Sequence, residues 1–292
     1  MTLNGPALVA LDMSNNDEPL RQADALARAL EAPLAVCHVL PDLSQVRVLF
    51  PQDAGPLPSS EVLNDRARTA LTERVLRVTG RGPRGAEIRI ESGSPHAGIR
   101  RAAEQLGAGV VVLGPGRTAA KLAHYPAWAV LVARTSPATG SVIGATDFSD
   151  PALPALASAA REAKRRNAPL RFLHAVHFDA SVAMAWPAAA AWPTIDTAEA
   201  LAEQARAQLT DSLARFEGAG EVLVLSGPAA AAIIDTARGE GASLVVVGTR
   251  GRSGLPRLLL GSVAESVMRE APCSVLAVPL HTDLPPHKVS VA

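Results

Sequence analysis

Short apolar runs rich in Val, Ile and Leu alternate along this chain with longer, Ala-rich stretches. In the second half the runs fall near 141–146, 170–176, 221–226, 243–247 and 274–278, each bounded by turn residues. The segments between them carry good helix formers, as in Ala198-Glu-Ala-Leu-Ala-Glu-Gln-Ala-Arg-Ala-Gln-Leu209. Strand-like runs separated by helix-length segments predict βαβ units and a parallel sheet, hence an α/β fold. A near-continuous apolar run such as Leu244 to Val247 suits a strand covered on both faces.

The pattern occurs twice. Ala7-Leu-Val-Ala-Leu-Asp12-Met-Ser14 matches Val142-Ile-Gly-Ala-Thr-Asp147-Phe-Ser149 at an offset of 135 residues. Ala32-Pro-Leu-Ala-Val-Cys-His38 matches Ala168-Pro-Leu-Arg-Phe-Leu-His174 at 136. Glu87-Ile-Arg-Ile-Glu-Ser-Gly93 matches Glu221-Val-Leu-Val-Leu-Ser-Gly227 at 134, and that register runs on to Gly114 and Gly248. So regular a spacing marks a duplication. The expected domains are 1–136 and 140–281, joined through the polar segment Thr135-Ser-Pro-Ala-Thr-Gly-Ser141 and followed by a tail, 282–292.

Past Gly114 and Gly248 the repeat breaks. Pro126 aligns with Pro272 at an offset of 146, so the first half lacks twelve residues. The expectation is that a spacer, a Gly-Ser pair and most of the following helix are missing there. Both halves also carry an insertion after the second strand: Pro41 to Leu57, and the stretch Val182 to Pro193 that repeats Ala-Trp-Pro. Either insertion folds back on a core or an interface, or covers a ligand.

Composition narrows the function classes. The 292 residues are 48% hydrophobic and 19% charged, which supports sizeable cores rather than disorder. Lys+Arg and Asp+Glu are equal at 28 each, and aromatics make up only 3%, so neither a basic field nor a stacking platform argues for nucleic acid. Cys37 and Cys273 sit in or beside apolar runs without metal-ligand spacing and read as buried thiols. No signal peptide or membrane span is expected, and a soluble cytoplasmic protein is the default.

The most informative feature is Gly248-Thr-Arg-Gly251, then nine residues, then Gly261-Ser262. It follows the run Ser243 to Val247 and leads into a helix-like segment. Glycines at such a junction let backbone N–H groups approach an anion, and a helix N-terminus adds partial positive charge. The pattern Gly-x2-Gly-x9-Gly-Ser resembles the nucleotide-binding signature of the universal stress protein family, and the coarse repeat extends that resemblance over nearly the whole chain. It implies two tandem open parallel-sheet domains of five strands each, Rossmann-like and related to the adenine nucleotide alpha hydrolase fold. It implies ATP, with Mg2+, as the ligand of the second domain, and a role in stress response or signalling. By resemblance, Asp147 and the backbone around Ala175 hold the adenosine end. Gly248 and Gly251 pass close to ribose and phosphates, and Gly261, Ser262 and Val263 bind phosphate oxygens. The family's last strands pair across a dimer axis. Ala129 to Ala133 and Val275 to Pro279 are the stretches that would do so within one chain, with a homodimer as a further form.

Each residue also has a plainer reading. Ser262-x-x-Glu265 has the form of a capping box, so Ser262 starts a helix, meets phosphate, or both. Asp147 is either a ligand contact or a solvated strand-end carboxylate; Asp150-Pro151 reads as the cap and first residue of the next helix, which leaves Asp147 available for another task. Arg250 and Arg252, with Arg257 in the spacer, either pair with phosphates or are ordinary loop arginines. His38 and His174 close the second strands and read as hydrogen-bonding a neighbouring loop. In the first half Gly114-Pro115-Gly116 lacks the fourth-position glycine, and Pro115 has no N–H, so no phosphate seat is expected there. Catalytic constellations are not visible. Binding is expected, with at most weak ATPase activity. A nucleotide-free interaction module, or an adenylyl-transfer or hydrolase relative, are the competing readings.

Overall fold

The computed structural model describes residues 5–41, 59–82, 84–137, 139–149, 152–176, 195–213, 220–251 and 260–280. The two insertions, Arg252, Arg257, the pair Asp150-Pro151 and the C-terminal tail lie outside them, apart from Pro41. The chain divides into two compact units between Arg134 and Thr135.

In the N-terminal unit the elements run β1 (Ala7–Ala10), α1 (Glu18–Ala29), β2 (Leu34–Leu40), α2 (Ser60–Thr79), β3 (Glu87–Ser92), α3 (Pro95–Leu106), β4 (Val110–Leu113), α4 (Arg117–Ala123) and β5 (Ala129–Val132). Its strands are ordered β3-β2-β1-β4-β5. β1 pairs in parallel with β2 and β4, in the register Ala7↔Leu34 and Ala7↔Val110. Burial is complete along the apolar runs: Leu8, Val9, Val36 and Val110 to Val112 have no exposed surface. That accounts for their lack of polar alternation.

Local signals explain the helix ends here. Ser59 caps α2 by accepting the Val62 N–H at 3.3 Å, and Gly80 ends it in the left-handed conformation at φ 67°. Asp17 holds the cap position of α1 yet makes no capping bond. Its carboxylate is taken by Arg74 Nε at 2.7 Å and Arg77 at 2.9 Å. Arg74, itself buried, also donates to the carbonyls of Asp12 (2.8 Å) and Asn16 (2.6 Å). One guanidinium therefore stitches the β1–α1 loop to α2. Burial pushes the Asp17 carboxyl up, but hydrogen bonds from Arg77 and Arg74 outweigh it and hold the group below the usual carboxylate range.

In the C-terminal unit the elements are β6 (Val142–Ala145), α5 (Leu153–Arg166), β7 (Leu170–Val176), α6 (Ile195–Leu213), β8 (Glu221–Ser226), α7 (Ala229–Gly239), β9 (Leu244–Gly248), α8 (Ser262–Glu270) and β10 (Ser274–Val278). The order β8-β7-β6-β9-β10 repeats that of the first unit. β6 lies between β7 and β9, with Val142 opposite both Leu170 and Leu244. Phe172, with no exposed surface, fills the space beside two glycines. A Cβ at Gly144 would stand 2.8 Å from Ala159 Cβ and 3.3 Å from Phe172, and one at Gly220 would stand 2.5 Å from Phe172.

α5 starts at Leu153 with Ala152 in the cap position, and Pro154 supplies the fixed φ of its first turn; the expected cap pair Asp150-Pro151 lies outside the described residues. One expectation is corrected: the first half keeps the helix it was expected to have mostly lost. α4 has seven residues against nine in α8. It buries Ala119, Leu122 and Ala123 where α8 buries Ala264, Val267 and Met268. The offset there is 145 against 134 at Gly114 and Gly248, so the loss falls in the loop and spares the packed face.

Both cysteines are buried, and neither is in a disulfide. Burial, with a smaller contribution from Glu91, pushes the Cys37 thiol up to about 12, which leaves it inert at neutral pH.

Candidate functional site

In an open parallel sheet the crevice outside the strand C-termini opens where the strand order reverses direction. In the C-terminal unit that point lies between β6 and β9. A pocket of about 300 Å3 occupies it, at the lower end of the range for small-molecule sites.

The structure brings eight of the nine sequence-flagged residues to this pocket: Asp147, Ala175, Gly248, Arg250, Gly251, Gly261, Ser262 and Val263. Arg252, the ninth, lies outside the described residues. Asp147 follows the end of β6. Its Oδ1 accepts the backbone N–H of Ser149 at 3.0 Å and the Ser149 hydroxyl as well. Its Oδ2 faces Gly251 so closely that a Cβ there would stand 2.5 Å away. Gly251 is thus glycine because a carboxylate passes over its α-carbon.

Gly261 caps α8 in an extended conformation (φ −64°, ψ 140°), and Ser262 is the first helical residue. The expected capping box is therefore not built. A glycine in the cap position has no side chain to accept an N–H, and no side-chain cap is made. The Gly261 N–H donates to Thr249 O at 2.9 Å, and Thr249 N–H donates to Val278 O at 3.0 Å, which closes the neck of the loop. Helix geometry leaves the N–H groups of Ser262, Val263 and Ala264 without intrahelical acceptors. The first two of these residues line the pocket. Such an arrangement can receive an anion: it offers uncapped donors and the positive end of a helix dipole, with Arg250 among the residues that line the pocket.

The rest of the lining is mostly apolar, and sequence reasoning missed most of it. It comprises Ala145, Ala152, Leu173, Ala229, Ile233 and Val247, with Thr146 just past the end of β6. Part of it was legible. Leu173 lies two residues before Ala175, and so on the same face of β7. Ile233 lies one helical turn after Ala229, at the start of α7. The histidines take structural roles: His174 Nδ1 bonds Thr146 O at 2.8 Å and His38 Nδ1 bonds Leu11 O at 2.7 Å, each tying its second strand to the end of the first.

In the N-terminal unit the matching crevice is built differently. Gly114 leads through Pro115 and Gly116 straight into α4. A Cβ at Gly114 would contact Asn16 and Pro19 at 3.8 and 3.9 Å, so the β1–α1 loop lies against this strand end. Among the described residues no helix is long and apolar enough to cross a membrane. Among them, too, no group of three or more His, Cys, Asp or Glu could hold a metal ion.

Comparison with known proteins agrees with this architecture. The model of the Universal stress protein family matches residues 4–132 and 139–279. A universal stress protein of Methanocaldococcus jannaschii is 37% identical over 136 residues, covering 46% of this chain and 78% of its own. Two solved structures share the fold over both repeats. A protein of unknown function from Pseudomonas aeruginosa has a TM-score of 0.62 at 18% identity, covering 94% of this chain and 93% of its own. A universal stress protein from Archaeoglobus fulgidus has a TM-score of 0.59 at 17% identity, covering 93% and 95%. With the family model matched once in each repeat, the chain belongs to the universal stress protein family.

Proposed function

We propose that the C-terminal unit binds one adenine nucleotide per chain, ATP with Mg2+ as its counter-ion, and that the N-terminal unit binds none. The observation that carries this reading is the convergence of an apolar wall, the Asp147 carboxylate and the uncapped start of α8 on one pocket at the reversal point of the sheet. The base packs against Leu173, Ile233 and Val247. Asp147 accepts from the ribose hydroxyls. Ser262, Val263 and Arg250 receive the phosphates, while Gly261, its N–H spent on Thr249, allows close approach rather than donating. Mg2+ arrives with the nucleotide, since it keeps water and phosphate oxygens as ligands and needs few from protein. The protein acts in the cytoplasm as a binding protein in stress response or signalling, and its loaded state is read by a partner.

Mass spectrometry of the small molecule released from purified protein on gentle denaturation tests the reading. An adenine nucleotide near one per chain is expected. A chain that releases none, and gives no calorimetric heat with ATP, ADP or AMP, is a nucleotide-free module instead.

A further inference from the structure

The two units carry the same tripeptide frame after their first strands, and the frame is folded in two ways. Asp12-Met13-Ser14 and Asp147-Phe148-Ser149 each close a turn in which the serine N–H donates to the aspartate Oδ1, at 3.1 and 3.0 Å. Each is backed by a histidine bonded to the end of the first strand. Phe148, however, has φ +61°, whereas Met13 is not among the positive-φ residues and is half exposed. A left-handed conformation is costly for a bulky side chain, and such strain persists where surrounding structure imposes it.

At this position the strain places a ring. Phe148 lies on the His174 imidazole with centroids 4.2 Å apart and planes tilted by 45°. Its own N–H is bonded to Thr146 Oγ1 at 3.0 Å. The pair adjoins two pocket residues: Phe148 follows Asp147 just past the end of β6, and His174 precedes Ala175 on β7. The contact therefore ties the turn that carries Asp147 to the strand that carries Ala175.

We infer that Phe148 is a positioning residue for ligand binding: its strained turn and its packing on His174 hold the Asp147 carboxylate in the pocket. This rests on reading the pocket as a nucleotide site. The arrangement accounts for what the N-terminal unit lacks, since Met13 has the same neighbours in sequence but no ligand geometry to maintain.

The test pairs AMP and ATP titration calorimetry with thermal melting of the ligand-free full chain, for the wild type, Phe148→Gly and Phe148→Tyr. Glycine adopts φ +61° freely but has no ring, so its melting temperature stays at or above the wild-type value while affinity falls about tenfold. Tyrosine keeps the ring and restores affinity. A glycine variant that binds as the wild type does, or one whose melting temperature falls in step with its affinity, overturns the inference. Neither result touches the proposed function, which fails separately if the wild type binds neither nucleotide.

Discussion

At the scale of single residues, the close pass of Asp147 over Gly251 is the sharpest constraint in the site. Gly251→Ala puts a methyl 2.5 Å from Asp147 Oδ2, and either the carboxylate or the loop must shift. Titration calorimetry is expected to show at least a tenfold loss of nucleotide affinity. Chemical denaturation is expected to show a stability change within about 1 kcal/mol, because the loop is outside the core. A second prediction concerns Arg74 and Asp17. Removing the buried Arg74 guanidinium leaves the Asp12 and Asn16 carbonyls without their donor while Arg77 still holds the Asp17 carboxylate, so Arg74→Ala should cost about 2 kcal/mol in urea unfolding. Asp17 has a folded pKa below its unfolded value near 3.9. Its contribution is thus fully present above that unfolded value and is lost as pH falls through the folded one. Asp17→Asn should be less stable than the wild type at pH 7, and its stability should fall less steeply between about pH 5 and 2. Parallel curves would show that the pair is not the acid-sensitive element. The sequence displayed the glycines because their spacing is a signature, but not the reason for Gly251, which is a contact with a residue 104 positions away. Arg74 was likewise silent, since a buried arginine on a helix looks like any surface one until its partners are placed.

Elements were far more legible. The five strands of the C-terminal unit fall within a residue or two of the apolar runs, because a strand buried on both faces leaves little room for polar residues. One error fell at a helix start. Ser262-x-x-Glu265 has the form of a cap, yet the chain places glycine in the cap position, which leaves the donors open. The retained α4 shows that loop and helix are separable parts of the motif. Its buried residues pack as those of α8 do, although the loop before it is short. Replacing the segment between Gly248 and Ala264 with the Pro115 to Thr118 linker should therefore leave a folded unit. Circular dichroism is expected to keep its helical signal while nucleotide binding disappears. Loss of the fold would mean that the long loop supports α8 as well as the ligand.

For the molecule as a whole, duplication followed by loss on one side explains why two units with the same strand order differ at their strand ends. In the first unit the β1–α1 loop lies against the end of β4 and is tied to α2 by an arginine. The second keeps an uncapped helix, an apolar wall and a strained turn around a pocket. That asymmetry was readable from the change in repeat offset, whereas the walls of the pocket depended on residues from three strands, two helices and the cap of a third. The measurement that bears on it most directly is the binding stoichiometry of ATP by isothermal titration, for the wild type and for a Gly261→Val/Ser262→Ala double variant. One site per chain, abolished in the double variant, is the predicted result. Two sites per chain, or a single site that survives the double substitution, would contradict it.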